Sequence, residues 1–229
     1  MLLIDEAGSI EKLKQFIEQW AGPRLPEYGV ILEEIPEALP QPLKELYLFA
    51  GNWPHPRGKG AGSQRGKQPW LFQEQDGLLG VADLKQKDGR ITFLIENQGN
   101  WSCWVEANNA QSPVHSDSMA LYDDEEKSDD EIVCESLPHF LTTFCLQELV
   151  FSSKIVGTLD DLAEEELYKK PLEPVWLNGC YVYQEPTHSF YICDNRLLIM
   201  KVYGGIWCGC RNEQDLDLLR NKEYFGQIF

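Results

Sequence analysis

The sequence predicts an α+β protein: a mainly antiparallel sheet with helices packed against it, followed by a smaller sheet-rich C-terminal extension. Three observations predict this. Between Arg90 and Glu106, two runs of alternating apolar residues flank the polar turn Asn97-Gln98-Gly99-Asn100, the pattern of a β-hairpin. Apolar residues recur at helical spacing near residues 10–20, 43–50 and 137–150. The candidate strands ahead of the hairpin are separated by short turns such as Asp88-Gly89, too short for the crossovers that parallel pairing needs.

Taken in order, Ser9 can cap a helix whose Ile10, Leu13, Ile17 and Trp20 share a face, stopped by Gly22-Pro23. The prolines of Ile35 to Pro42 delay the next helix, because residues before proline avoid helical geometry. Leu43, Leu46, Tyr47 and Ala50 then mark its buried face, and Gly51-Asn52 ends it. From Pro54 to Pro69 the chain carries Arg57, Lys59, Arg65 and Lys67 with no acid and reads as a mobile basic loop. A phosphate-loop reading fails there, since Ala61 replaces the first glycine and Gln68 the Mg²⁺-binding hydroxyl. Trp70-Leu71-Phe72 and Leu78 to Val81 read as short strands, with Asp76-Gly77 as a turn.

In the hairpin, Ile91, Phe93 and Ile95 fall on one face and Leu94 on the other. Trp101, Cys103 and Val105 oppose Trp104 in the same way. Pro113 to Met119 is a loop or edge segment. Asp123 to Glu135 holds eight carboxylates against one lysine and cannot bury itself. Leu137 to Val150 returns to helix, with Phe140, Leu141, Phe144, Cys145 and Leu149 along one broad face. Beyond Lys154, a short helix through Leu167, strands near 175–177, 180–183, 190–193 and 197–203, and a final helix from Asp215 to Arg220 are expected. This divides the chain into a first domain, 1–155, and an α+β extension or appendage, 156–229.

The formal net charge of −17 argues against nucleic acid or an anionic membrane as partner and favours encounters with basic proteins. No basic, apolar leader opens the chain, and seven unevenly spaced cysteines suit a reducing compartment, so a cytoplasmic location is expected. Cys208 and Cys210, one residue apart, are poorly spaced for zinc. His55, His115, His139 and His188 form no metal or catalytic motif. Neither a metal nor a cofactor is expected.

Several motifs in order resemble a known family: a helix ending in Leu39-Pro40-Gln41-Pro42-Leu43-Lys44-Glu45-Leu46-Tyr47, a Gly51-Asn52-Trp53 turn, Glu96-Asn97-Gln98-Gly99 leading to Trp104, Pro113-Val114, and Leu137-Pro138-His139-Phe140-Leu141. From about Ser9 to Lys154 this order resembles the SUKH superfamily of fungal cell-wall synthesis regulators and bacterial toxin-immunity proteins. The resemblance implies a non-enzymatic protein-binding module, in its sharpest form an immunity protein that occludes a cognate toxin such as a nuclease. A regulatory or scaffolding role on another protein is the alternative. The expected contacts are Asp123, Asp124, Glu125, Glu126, Asp129, Asp130 and Glu131, with Trp53 and Trp104 as core residues or interface anchors.

Overall fold

A computed structural model of the chain describes residues 9–58, 70–118, 131–159, 165, 167–183 and 185–215, with the backbone of 225–228. Helix α1 (Ile10–Ala21) starts where Ser9 accepts the Lys12 N–H at 3.4 Å and buries Ile10, Leu13, Phe16, Ile17 and Trp20, as the spacing predicts. Helix α2 (Gln41–Ala50) buries Leu43, Leu46, Tyr47 and Ala50. Two short 3₁₀ turns, Pro26–Tyr28 and Leu32–Glu34, make up much of the connection between them.

The first sheet contains β1 (Asp76–Leu78), β2 (Lys85–Lys87), β3 (Arg90–Glu96), β4 (Ser102–Glu106), β5 (Val114–Ser116) and β6 (Glu131–Cys134). Its order is β1-β3-β4-β5-β6, with β2 also paired to β3, and every pairing is antiparallel. The hairpin forms where expected, and the Glu96 carboxylate accepts the N–H groups of Gln98 and Asn100 within the turn. One detail differs. A bulge between Thr92 and Leu94 inserts an extra residue, so Phe93 and Leu94 are both buried and Ile95 is only partly covered.

The expected strand at Trp70-Leu71-Phe72 is reduced to an isolated bridge between Trp70 and Pro54, after which the chain turns. Asp76-Gly77, read as a turn, begins β1, and Val81–Asp83 is a 3₁₀ turn. The reason is non-local: this segment is drawn onto the helix α3 (Leu137–Phe151), whose Glu148 takes up its backbone N–H groups.

Helix α3 departs most from expectation. Its apolar residues do not form one face against one layer, for Thr142, Thr143, Leu146, Gln147, Glu148 and Val150 are buried as well. The second sheet supplies the extra cover. It comprises β7 (Ile155–Leu159), β8 (Leu172–Gly179), β9 (His188–Cys193), β10 (Leu197–Val202), β11 (Gly205–Cys210) and β12 (Phe225–Ile228), in the order β12-β7-β11-β10-β9-β8 and wholly antiparallel. Residues 180–183, expected as a strand, are not one, and β11 extends the sheet instead.

Val175, Trp176, Phe190, Ile192, Leu198 and Met200 of the second sheet join the hydrophobic cluster that contains Leu13, Phe93 and Phe140. Gly209 permits the close approach, because a Cβ there would lie 2.5 Å from Ser153 Oγ and 2.7 Å from the Val150 carbonyl oxygen. Trp176 Nε1 donates to Thr143 Oγ1 at 3.0 Å across the same contact. The opposite face of this sheet carries a smaller cluster that includes Leu159, Leu167, Leu197, Ile199 and Cys208. An α+β architecture is thus found, with α3 packed against strands of both sheets. Asp160 and the run 216–220, where helical residues were expected, lie outside the described residues.

Candidate functional site

Of the residues expected to meet a partner, Asp123, Asp124, Glu125, Glu126, Asp129 and Asp130 lie outside the described residues. Glu131 opens β6, half-buried and paired with Ser116. Of the two readings open to Trp53, the core one fits its burial: it is 4% exposed, with Tyr28 at 4.8 Å and Phe49 at 5.8 Å between ring centroids, which leaves little surface for a partner. Trp104 lies on the face opposite the core residues Cys103 and Val105, as alternation predicts, but it too is buried, 7% exposed between the Arg90 guanidinium at 5.4 Å and the His115 ring at 6.1 Å. Lys59, Arg65 and Lys67 of the basic loop are outside the described residues. Arg57 is tethered, not free, for it pairs with Glu74 and donates to the Phe151 carbonyl at 2.9 Å.

The most concentrated polar chemistry is internal. Glu148 is fully buried, and its two carboxyl oxygens accept the N–H groups of Glu74 (2.8 Å), Gln75 (3.1 Å) and Asp76 (3.0 Å). Beside it, Asp76 Oδ2 accepts from the Tyr181 hydroxyl at 2.7 Å and from Gln147 Nε2 at 3.1 Å. Gln147 Oε1 lies 3.1 Å from His188 Nε2, and His188 Nδ1 lies 2.7 Å from the Thr187 hydroxyl. Since the Gln147 oxygen can only accept, His188 carries its proton on Nε2. The Tyr181 ring stacks on Phe140 at 5.2 Å and meets Trp101 edge-on at 6.0 Å. This chain of groups ties β1, α3 and β9 together.

Burial sets the titration of these groups. It pushes Asp76 up to about 6, and pushes Glu148 upward too, with Asp76 adding to the effect. It pushes His188 down to about 4. The two effects on stability oppose one another. Native Asp76 holds a proton that the unfolded chain has released, so its contribution falls as pH rises from about 4 to about 6. Native His188 lacks a proton that the unfolded chain binds, so its contribution rises with pH from about 4 to 6.5. In His188→Gln the rising contribution disappears. Urea unfolding across this range is expected to show the stability advantage of wild type over the variant growing by on the order of 3 kcal/mol, whereas parallel pH profiles would contradict the assignment.

All seven cysteines are free. Burial pushes their thiols up, Cys134 to about 11 and Cys210 to about 12, which disfavours the thiolate needed by a nucleophile. Among the described residues, no group of three or more His, Cys, Asp or Glu could hold a metal ion, and no helix is long and apolar enough to cross a membrane.

On the surface, the connection between α1 and α2 presents Leu25, Ile31 and Leu32, at 42%, 59% and 61% exposure, among the exposed carboxylates Glu27, Glu33, Glu34 and Glu37. Sequence reading passed over this stretch. Its signal is three adjacent aliphatic residues, Val30 to Leu32, outside any helical or strand period and followed at once by two acids. On the first sheet, pairing register aligns Lys85, Thr92, Trp104 and His115 in one row and Lys87, Arg90 and Glu106 in the next. Lys85, Lys87, Asp88, Arg90, Thr92 and Trp104 line an open concavity of about 530 Å³ there. A second cleft, of about 230 Å³, lies between the C-terminal ends of α1 and α3. Asp76, Glu148 and His188 line neither.

Comparison with protein-family models, curated proteins and solved structures finds no match.

Proposed function

We propose that this chain is a non-enzymatic, cytoplasmic protein-binding module that neutralises a basic toxin domain, such as a nuclease, by direct binding. The observation that carries this reading is the acid-rimmed apolar patch between α1 and α2. Ile31 and Leu32 are large aliphatic side chains more than half exposed, and Glu27, Glu33 and Glu34 accompany them on the same short connection. Apolar anchors provide the desolvated centre of an interface, and surrounding charge selects the partner and speeds encounter. The net charge of −17, to which the acidic run 123–131 contributes, favours the same kind of partner.

The internal groups support the reading from another side. Glu148 and His188 direct their hydrogen bonds at backbone and side chains that join elements of the fold, and Asp76 does so through Oδ2. The sequence resemblance to the SUKH superfamily points to the same kind of work.

Tagged protein expressed in its native cell is the test. It is expected to capture a basic protein, and the association rate constant of the purified pair should fall about tenfold or more between roughly 0.05 and 0.5 M salt. An association rate indifferent to salt would contradict electrostatic recognition.

A further inference from the structure

Two of the free cysteines meet where the two sheets come together. Cys134 is the last residue of β6, at the edge of the first sheet, and Cys180 directly follows β8, at the edge of the second. Their thiols are hydrogen-bonding partners of one another. Two sulfurs in contact need an adjustment of side-chain torsions, not a rearrangement of the sheets, to reach the bonding distance of a disulfide, about 2.05 Å.

The start of α3 holds both residues. Ser136 caps the helix, its Oγ accepting the His139 N–H at 3.4 Å, and its carbonyl accepts the Cys134 thiol at 3.3 Å. In the first turn, His139 Nε2 accepts the Cys180 N–H at 3.1 Å, and the His139 ring meets Trp176 of β8 edge-on at 4.7 Å. Tyr181, the next residue after Cys180, is anchored by its hydroxyl on Asp76. Cys134 and Cys180 are therefore positioned against each other by one short stretch of backbone.

The two thiols differ in access. Cys134 is 6% exposed, whereas Cys180 is half-buried. Burial pushes both thiols up, and contact with Cys134 offsets part of that at Cys180. An oxidant thus meets Cys180 first, and Cys134 stands beside it to resolve the product.

We propose that Cys134 and Cys180 form a reversible redox site, which a small disulfide of the class of glutathione disulfide closes into a cross-link between the two sheets. The Cys180 thiolate attacks one sulfur of the reagent. A mixed disulfide forms, the reagent's S–S bond breaks, and the departing glutathione thiolate takes up the proton that Cys180 released. The Cys134 thiolate then attacks the Cys180 sulfur, and the second glutathione leaves in the same way. Two protein thiols are oxidised to one disulfide while one glutathione disulfide is reduced to two glutathione molecules. In a reducing compartment the pair rests as thiols and closes when the glutathione pool becomes oxidised. The bond closes a loop of roughly 45 residues that carries α3, β7 and β8, so it constrains the unfolded chain. None of this rests on the protein-binding reading.

The test is to incubate the reduced full chain with about 5 mM glutathione disulfide near pH 8.5, alkylate the remaining thiols and map the peptides without reduction. A bond between Cys134 and Cys180 is expected, reversible by dithiothreitol, with the thermal midpoint raised by about 5–10 °C. Cys134→Ser should stop at the mixed disulfide on Cys180, and Cys180→Ser, at a half-buried position, should leave Cys134 reduced. Neither variant should gain thermal stability on oxidation, with near-UV circular dichroism showing that each is folded. The proposal is overturned if both wild-type thiols remain open to alkylation, if oxidation halts at the mixed disulfide, or if either cysteine pairs with a different one. An equal thermal shift in the two serine variants would overturn it as well.

Discussion

Glu148→Ala is expected to lower the free energy of unfolding by about 3–5 kcal/mol, enough to unfold a protein of ordinary stability. The side chain is the acceptor for three backbone N–H groups, those of Glu74, Gln75 and Asp76, on the segment that enters β1. Alanine leaves those donors without their acceptor, at about 1–3 kcal/mol for each buried donor left unsatisfied. It also opens a void between α3 and the first sheet. Relief of the buried carboxyl offsets part of the loss, since burial and Asp76 already favour its protonated form. Glu148→Gln keeps one acceptor oxygen in place and is expected to lose less than half as much. Urea unfolding of the two variants checks this, and equal losses would mean that volume matters more than the hydrogen bonds.

Replacing Ile31 and Leu32 together by serine is expected to weaken partner binding about 100-fold while leaving stability almost unchanged. Both side chains are more than half exposed, so the fold loses little when they are shortened. A complex that buries them loses its apolar anchors. Replacing Glu27, Glu33 and Glu34 by glutamine should act differently, lowering the association rate at low salt and changing dissociation far less. Surface plasmon resonance separates the two classes. A serine variant that binds like wild type would move the interface away from this connection.

Local signals made α1, α2 and the hairpin legible. Ser9, the spacing of Leu13, Ile17 and Trp20, and the Asn97 to Asn100 turn act within a few residues of themselves. Alternation also separated Trp104 from Cys103 and Val105. Long-range contacts were not legible. Thr143, Gln147 and Glu148 fall outside the apolar face that spacing marks on α3, and are buried because they meet strands and turns up to about 70 residues away in sequence. Asp76-Gly77 carries turn composition, but Gln147 and Tyr181 hold the Asp76 carboxylate inside and the segment becomes strand.

The same limit applied to the surface. The two indoles chosen as anchors for their size are both covered, by different means: the rings of Tyr28 and Phe49 close over Trp53, and on the outer face of the first sheet Arg90 and His115 close over Trp104, leaving it 7% exposed. Ile31 and Leu32 carry no periodicity, and only the fold shows that nothing in the described chain covers them.

Titrating the activity of the captured basic protein against this chain tests neutralisation most directly. Activity is expected to fall linearly to zero at one equivalent of wild-type protein, and the Ile31/Leu32 serine variant should require a large excess. Full activity of the partner in a saturated complex would contradict neutralisation and leave a regulatory or scaffolding role in its place.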